Sequence, residues 1–152
     1  FTGQNYGARK WERIRRGYRI SLTSLMVWEG FVTLVLIFGG RFLFSLFLRE
    51  PPEILDMGTT YLRILALCQF PMALEGSCAG AFRGMGQTLP PSLCSIASNI
   101  IRPFLCWLFS RWMGLNGLWM GITVSATLRG IFMFIWFTLN LRNLPRFDET
   151  VG

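Results

Sequence analysis

Glu29, Glu75, Arg102 and Arg129 lie deep inside long apolar stretches of a chain that contains no histidine. An ionised side chain in hydrocarbon costs about 2.5 to 3.5 kcal/mol on insertion scales, so it is kept where it faces another helix or an aqueous cavity. A carboxylate in such a place can exchange a proton for a cation, which is the chemistry that coupled ion exchange requires. Glu75 is the leading candidate, because Pro71 lies one turn before it and a proline frees a backbone carbonyl and bends a helix where an ion could sit. Glu29 is the second candidate. The same residues have a plainer reading, in which Glu75 or Glu29 pairs with Arg102 or Arg129 as a static ion pair. Each stretch also holds several Phe or Trp, so a cavity between them would be aromatic and could hold a lipophilic cation through cation–π contact.

Other chemistry is poorly supplied. Without histidine the chain lacks the commonest general base, the Ser-His-Asp triad and the usual zinc ligands. No Gly-x-x-x-x-Gly-Lys-Ser/Thr phosphate loop is present, and the acids do not cluster for paired acid–base work. Cys68, Cys78, Cys94 and Cys106 never approach Cys-x-x-Cys spacing and read as small apolar residues. The expectation is therefore no enzyme, no metal site and no cofactor beyond a coupling sodium ion or proton.

The elements that must position these charges are membrane helices. Of 152 residues 52% are apolar and 15% charged, against about 25% charged in soluble domains. Four spans of about 20 residues would use most of that apolar content. They are read at 20–40, 60–82, 92–109 and 117–141. Residues 41–61 contain Pro51-Pro52 among acids and read as a loop; 83–91 and 110–116 read as turns, and Arg102-Pro103 interrupts the third span. A soluble bundle would need a polar stripe on each helix, yet residues 30–40 and 112–128 carry no charge at all.

Residues 1–19 then form a basic loop and 142–152 a polar tail on the same side. That side holds Arg9, Lys10, Arg13, Arg15, Arg16, Arg19, Arg83, Arg142 and Arg146, against Arg41, Arg49 and Arg111 opposite. The imbalance places both ends in the cytoplasm. It also accounts for the interleaved basic and aromatic residues of 8–19 by membrane position, so nucleic acid is not expected as a partner. Gly76, Gly80 and Gly84 fall four apart, and Gly117, Gly121 and Ser125 repeat the pattern, which predicts close helix packing in lipid.

The segment Gly3-Gln4-Asn5-Tyr6-Gly7-Ala8-Arg9-Lys10 resembles the Gly-Gln-Asn-x-Gly-Ala loop of the multidrug and toxic compound extrusion (MATE) transporters. The resemblance continues through Gly58-Thr59-Thr60-Tyr61-Leu62-Arg63-Ile64, Arg83-Gly84-Met85-Gly86-Gln87-Thr88, Arg102-Pro103 and Gly114-Leu115-Asn116-Gly117 in family order. It implies an all-α integral membrane fold, with this chain matching the last four of twelve helices in a two-lobe transporter of the cytoplasmic membrane. The implied activity is efflux of small organic cations in exchange for sodium or protons. The implied partners are the bilayer and the preceding helices, without which four spans are expected not to transport. The loop motifs, with Gly3, Gln4, Asn5, Gly7, Ala8, Arg83, Gly84 and Gly86, are expected to hold the lobe together. Many members carry an acid in the tenth helix, eleven positions before the arginine matched by Arg83; here that position is Met72, and Glu75 follows one turn on. Two other readings stay open: a lipid-linked precursor flippase, which would leave Arg102 and Arg129 unpaired in a cationic cavity, and a non-transporting membrane scaffold.

Overall fold

Backbone groups in hydrocarbon must be satisfied within the segment that carries them, and the helix does this without a partner strand. The computed structural model, which describes residues 1–47 and 52–145, is helical with no strand among the described residues. Its elements are α1 (Thr2–Gly7), α2 (Trp11–Phe47), α3 (Pro52–Ala66), α4 (Gln69–Gly84), α5 (Leu89–Met113) and α6 (Leu115–Asn143). Arg49, Glu50, Pro51 and, in the tail, Arg146 and the residues after it lie outside the described residues.

The basic stretch expected as loop is helix from Trp11 onward. Trp11 and Ile14 are buried while Glu12, Arg13, Arg16 and Arg19 are exposed, so its first turns are amphipathic. With 37 residues at about 1.5 Å each, α2 outruns a hydrocarbon core of about 30 Å, and this basic end projects beyond it. The expected loop over 41–61 is also largely helical, since α2 continues to Phe47 and α3 begins at Pro52.

The expected single span over 60–82 is broken between α3 and α4, which meet at a 48° bend. Pro71 explains the position, because its ring collides with the carbonyl four residues back, at Leu67. The chain tightens there: Leu67 N–H bonds Ile64 at 3.2 Å and Cys68 N–H bonds Leu65 at 3.1 Å, in place of regular α-helical pairing. Neighbours take up the exposed carbonyls. The Thr123 hydroxyl of α6 lies 3.5 Å from the Ile64 oxygen, and the Cys68 thiol donates to Leu65 at 3.1 Å.

The turn expected over 83–91 is present but shortened to 85–88, and the break expected at Arg102-Pro103 is absent. Pro90 and Pro91 fall in the first turn of α5, where a missing N–H is harmless, and the helix passes through Pro103 without stopping. Between α5 and α6 stands the single residue Gly114, at φ 57°, rather than a seven-residue turn.

Paired contacts fix the topology. Tyr18 bonds Cys78 at 3.1 Å, while Gly30 lies near Phe70, so α2 and α4 run antiparallel. Gly121 packs on Cys106, and Arg102 bonds Ser125, so α5 and α6 are antiparallel as well. The Phe82–Phe137 and Gln87–Asn140 contacts set α4 parallel to α6. Helices α2, α5 and α6 are long and apolar enough to cross a membrane, and the bent α3–α4 pair is a fourth span when its two halves are taken together. The alternating directions return the chain to one side, where Arg15 meets Leu144. The buried core sits at that end, built from Cys78, Phe82, Met85, Cys94, Met133 and Phe137.

Candidate functional site

Helix α6 carries two buried faces. Gly117, Gly121 and Ser125 face α5, with Gly117 against the Phe109 carbonyl and Gly121 such that a Cβ would fall 2.7 Å from the Cys106 Cα. Thr123, Ala126, Gly130, Met133 and Phe137 form a second buried stripe, and Gly130 lies against the Pro71 carbonyl of α4. That contact closes the α4–α6 seam where the charges sit.

In the seam the Arg129 guanidinium reaches the Glu75 carboxylate at 2.6 Å, with the two side chains 17% and 18% exposed. Two oppositely charged groups shielded together are each other's best partner in a poorly solvated seam. The remaining charges do not join them. Arg102 donates from Nε to the Ser125 hydroxyl at 3.1 Å, bracing α5 against α6. Glu29 is half-buried on α2 and, among the described residues, makes no hydrogen bond or ion pair. Met72 is 45% exposed, while Glu75 turns to α6, so the two occupy different surroundings despite their spacing.

The loop motifs form a joint at the end of α4. A Cβ on Gly3 would stand 2.8 Å from the Gly84 oxygen, and one on Gly84 would stand 2.9 Å from Thr2 Cβ, so α1 docks backbone to backbone on α4. Asn5 is buried and donates from Nδ2 to the Phe1 carbonyl at 2.9 Å. Gly86 ends α4 at φ 77°. Its N–H bonds Arg83 at 3.0 Å while Gln87 N–H bonds Phe82 at 2.9 Å, the paired bonds of a Schellman cap. Gln87 also accepts from Asn140 at 3.1 Å, tying the turn to α6. Gln4 and the Arg83 side chain are exposed, and Gly7 has nothing within 4 Å of a built Cβ, so the joint rests on Gly3, Asn5, Gly84, Gly86 and Gln87, with Ala8 half-buried beside it.

Among the described residues Gly76 and Gly80 pack on no neighbouring helix: a Cβ on either meets nothing within 4 Å. They line an open groove between α2 and α4 of about 590 Å³, with Gly17, Tyr18 and Leu25 opposite. Sequence reasoning missed Gly130, which breaks the four-residue period of Gly117, Gly121 and Ser125 but continues the Thr123–Ala126 stripe. It also missed Arg15, whose guanidinium donates to the Leu144 carbonyl at 2.7 Å and the Leu141 carbonyl at 3.3 Å. No spacing rule pairs residues so far apart in the chain.

A family model, MatE, matches residues 1–108, well over half of the chain. The chain belongs to the MatE family. Members of this family are multi-pass membrane transporters, not enzymes. The MatE chain is 29% identical over 129 residues to the probable multidrug resistance protein NorM of Chromobacterium violaceum, covering 74% of this chain and 28% of that protein. It is 26% identical over 127 residues to the NorM protein so named from Thermotoga maritima, covering 82% of this chain and 26% of that one. It thus spans about a quarter of the length of these curated relatives. A solved inward-facing structure of a multidrug resistance MATE family transporter of the MOP superfamily superposes with a TM-score of 0.86. It has 20% sequence identity and covers 99% of this chain and 35% of that one. The bent four-crossing arrangement is therefore a MATE transporter fold.

Proposed function

We propose that this chain is part of a secondary active efflux transporter that exports organic cations in exchange for sodium or protons, with Glu75 as the coupling carboxylate. The observation that carries the reading is a carboxylate held in the apolar seam of a MatE-family chain, one turn after the proline of a broken helix and neutralised by a single arginine. A proton or sodium ion arriving at Glu75 competes with Arg129 for the same oxygens. Loading the carboxylate frees the guanidinium and loosens α4 from α6, which links ion binding to helix movement.

The chain corresponds in this reading to the last four of twelve helices, a third of the transporter, which accords with its covering 35% of the solved MATE family chain. The long apolar face of α2, with Val27 70% and Phe38 81% exposed, is then covered by lipid and by the preceding helices. Arg9, Lys10, Arg13, Arg15, Arg16, Arg19, Arg83 and Arg142 share one end of the bundle, which supports a cytoplasmic position for that end in the cell membrane.

The flippase reading needs free guanidinium groups in a cavity. Arg129 is spent on Glu75 and Arg102 bonds Ser125, which favours the antiporter. The test is uptake of tetraphenylphosphonium by vesicles containing the full-length protein under an imposed sodium or proton gradient. Wild-type protein should respond to the gradient and Glu75→Gln should lose that response; full coupled transport by the variant would remove Glu75 from the mechanism. A wild-type protein that moves no cation under either gradient would favour the scaffold reading.

A further inference from the structure

Trp11, Ile14 and Tyr18 fix the rotation of α2 by packing into the bundle. The opposite face is one exposed stripe, on which Arg13, Arg16, Ile20, Val27, Phe31 and Phe38 fall three, four or seven residues apart. It is basic as far as Arg16 and largely apolar from Ile20 onward. Arg19 adds a third exposed guanidinium at the flank.

The helix rise sets this change of character against the bilayer. From Arg19 to Arg41 the axis advances about 33 Å, which matches a hydrocarbon core of about 30 Å. Arg16 then stands about 6 Å beyond Ile20, and Arg13 about 10 Å beyond it. The headgroup layer is about 5–8 Å thick on each side, so on their flexible stems all three guanidinium groups reach it. Among the described residues none of the three makes a hydrogen bond or ion pair, whereas Arg15 on the inward side is taken up by the Leu141 and Leu144 carbonyls. Glu12 is the one acid before Glu29, so this end of the face is net positive. Like charges three residues apart repel, and a bound anion relieves the repulsion.

The face therefore asks for negative charge at one end and apolar contact along the rest. An anion in water meets the arginines but not the stripe. A zwitterionic lipid meets the stripe but brings its own ammonium beside the phosphate. An anionic phospholipid meets both, with its phosphodiester in the guanidinium forks and its acyl chains along Ile20 to Phe31.

We propose that the outer face of α2 from Arg13 to Phe31 is a binding site for an anionic phospholipid, whose headgroup is held by Arg13, Arg16 and Arg19. The site requires that α2 cross a bilayer, and it is independent of any ion-coupling role of Glu75.

The test uses the full-length protein with a bimane fluorophore on Ser24→Cys, an exposed position one turn beyond Ile20 in the apolar part of the stripe, and with its other reactive cysteines replaced. The protein is placed in vesicles of phosphatidylcholine and phosphatidylglycerol, one of the two carrying brominated chains. Quenching then gives the relative affinity of the two lipids at that point. Phosphatidylglycerol should bind at least about fivefold more tightly, the worth of about one arginine near a charged surface. The preference should fall to near one when Arg13, Arg16 and Arg19 are all changed to glutamine, and most of it should survive when all three are changed to lysine, which keeps the charge. Arg41→Gln, at the other end of α2, should leave it unchanged. Quenching by brominated phosphatidylcholine in the triple glutamine variant reports that the stripe still faces lipid, so loss of the preference is not loss of the fold. Equal affinity for the two lipids in the wild type, or a preference that survives the triple glutamine change, would overturn the proposal. Little quenching by either lipid would mean that protein covers the face and would overturn it as well. The readout is lipid affinity and not transport, so none of these outcomes bears on Glu75.

Discussion

Gly130 lies against the Pro71 carbonyl, with no room between them for a side-chain carbon. The contact lets α4 and α6 approach to backbone distance, and it places Arg129, the preceding residue, at the level of Glu75. A methyl group at this point meets backbone rather than a flexible side chain, so the helices must move apart. Gly130→Ala should destabilise the protein by about 1–3 kcal/mol, the usual cost of overpacking. Gly76 is the control, since a Cβ there meets nothing within 4 Å. Alanine is the better helix former by about 0.5–1 kcal/mol, so Gly76→Ala should be neutral or slightly stabilising. Thermal unfolding of both variants in the same detergent checks the contrast; equal losses would refute the packing argument.

Glu75 and Arg129 should be energetically coupled. Removing either partner alone leaves a shielded charge unmatched, whereas removing both leaves an apolar seam that tolerates neutral residues. Glu75→Gln and Arg129→Gln are each expected to destabilise, and the double variant should recover part of the loss, giving a coupling energy of about 1–3 kcal/mol in a double-mutant cycle. The cycle Glu75→Gln with Arg102→Gln should give a value near zero, because Arg102 bonds Ser125 instead.

Much of this arrangement was legible in the sequence. The apolar runs marked the crossings, the Gly117, Gly121 and Ser125 spacing marked a close helix contact, and four intramembrane charges marked the candidates. The partner choice was not legible, because helix periodicity orders residues on one helix and says nothing of which neighbour they meet. Gly130 and the Pro71 carbonyl decide it, through a contact between residues 59 positions apart by their numbers. The break was displaced for a local reason: Pro71 acts on the carbonyl four residues back, so the bend falls at Leu67–Cys68, inside a stretch that reads as apolar. The basic stretch after Lys10 reads as loop by charge alone. It is helix because Trp11, Ile14 and Tyr18 find tertiary partners on one face while the charges point outward.

Gly86 occupies a backbone conformation that side chains resist, at φ 77°. Nothing lies within 4 Å of a built Cβ, so the penalty for substitution is conformational and not steric crowding. Gly86→Ala should cost about 1–2 kcal/mol and loosen the cap that holds Gln87 against Asn140. Gly86→Asn should cost less, since asparagine tolerates the left-handed region. A melting series of wild type, asparagine and alanine in that order checks the point, and any other order contradicts it.

Arg15 closes the far end of the bundle by donating to the Leu141 and Leu144 carbonyls. The last carbonyls of a helix have no partner within it, and the dipole there favours a cation, so one guanidinium answers both needs. Arg15→Met removes the donors and keeps much of the apolar stem, isolating the cap from packing. Loss of these bonds should free the last turn of α6 by about 1–2 kcal/mol, seen as roughly tenfold faster amide exchange near Leu141 and Asn143 with little change elsewhere. Arg15→Lys should recover part of the protection, because an ammonium keeps the charge and several donors. On its different stem it cannot hold its nitrogen where the planar guanidinium places Nη2 between the two acceptors. Arg16 is exposed one position later, and Arg16→Met should leave exchange in α6 unchanged. If both methionine variants loosened the turn equally, the protection would come from the general positive potential of this end; a change confined to Arg15→Met assigns it to the two hydrogen bonds.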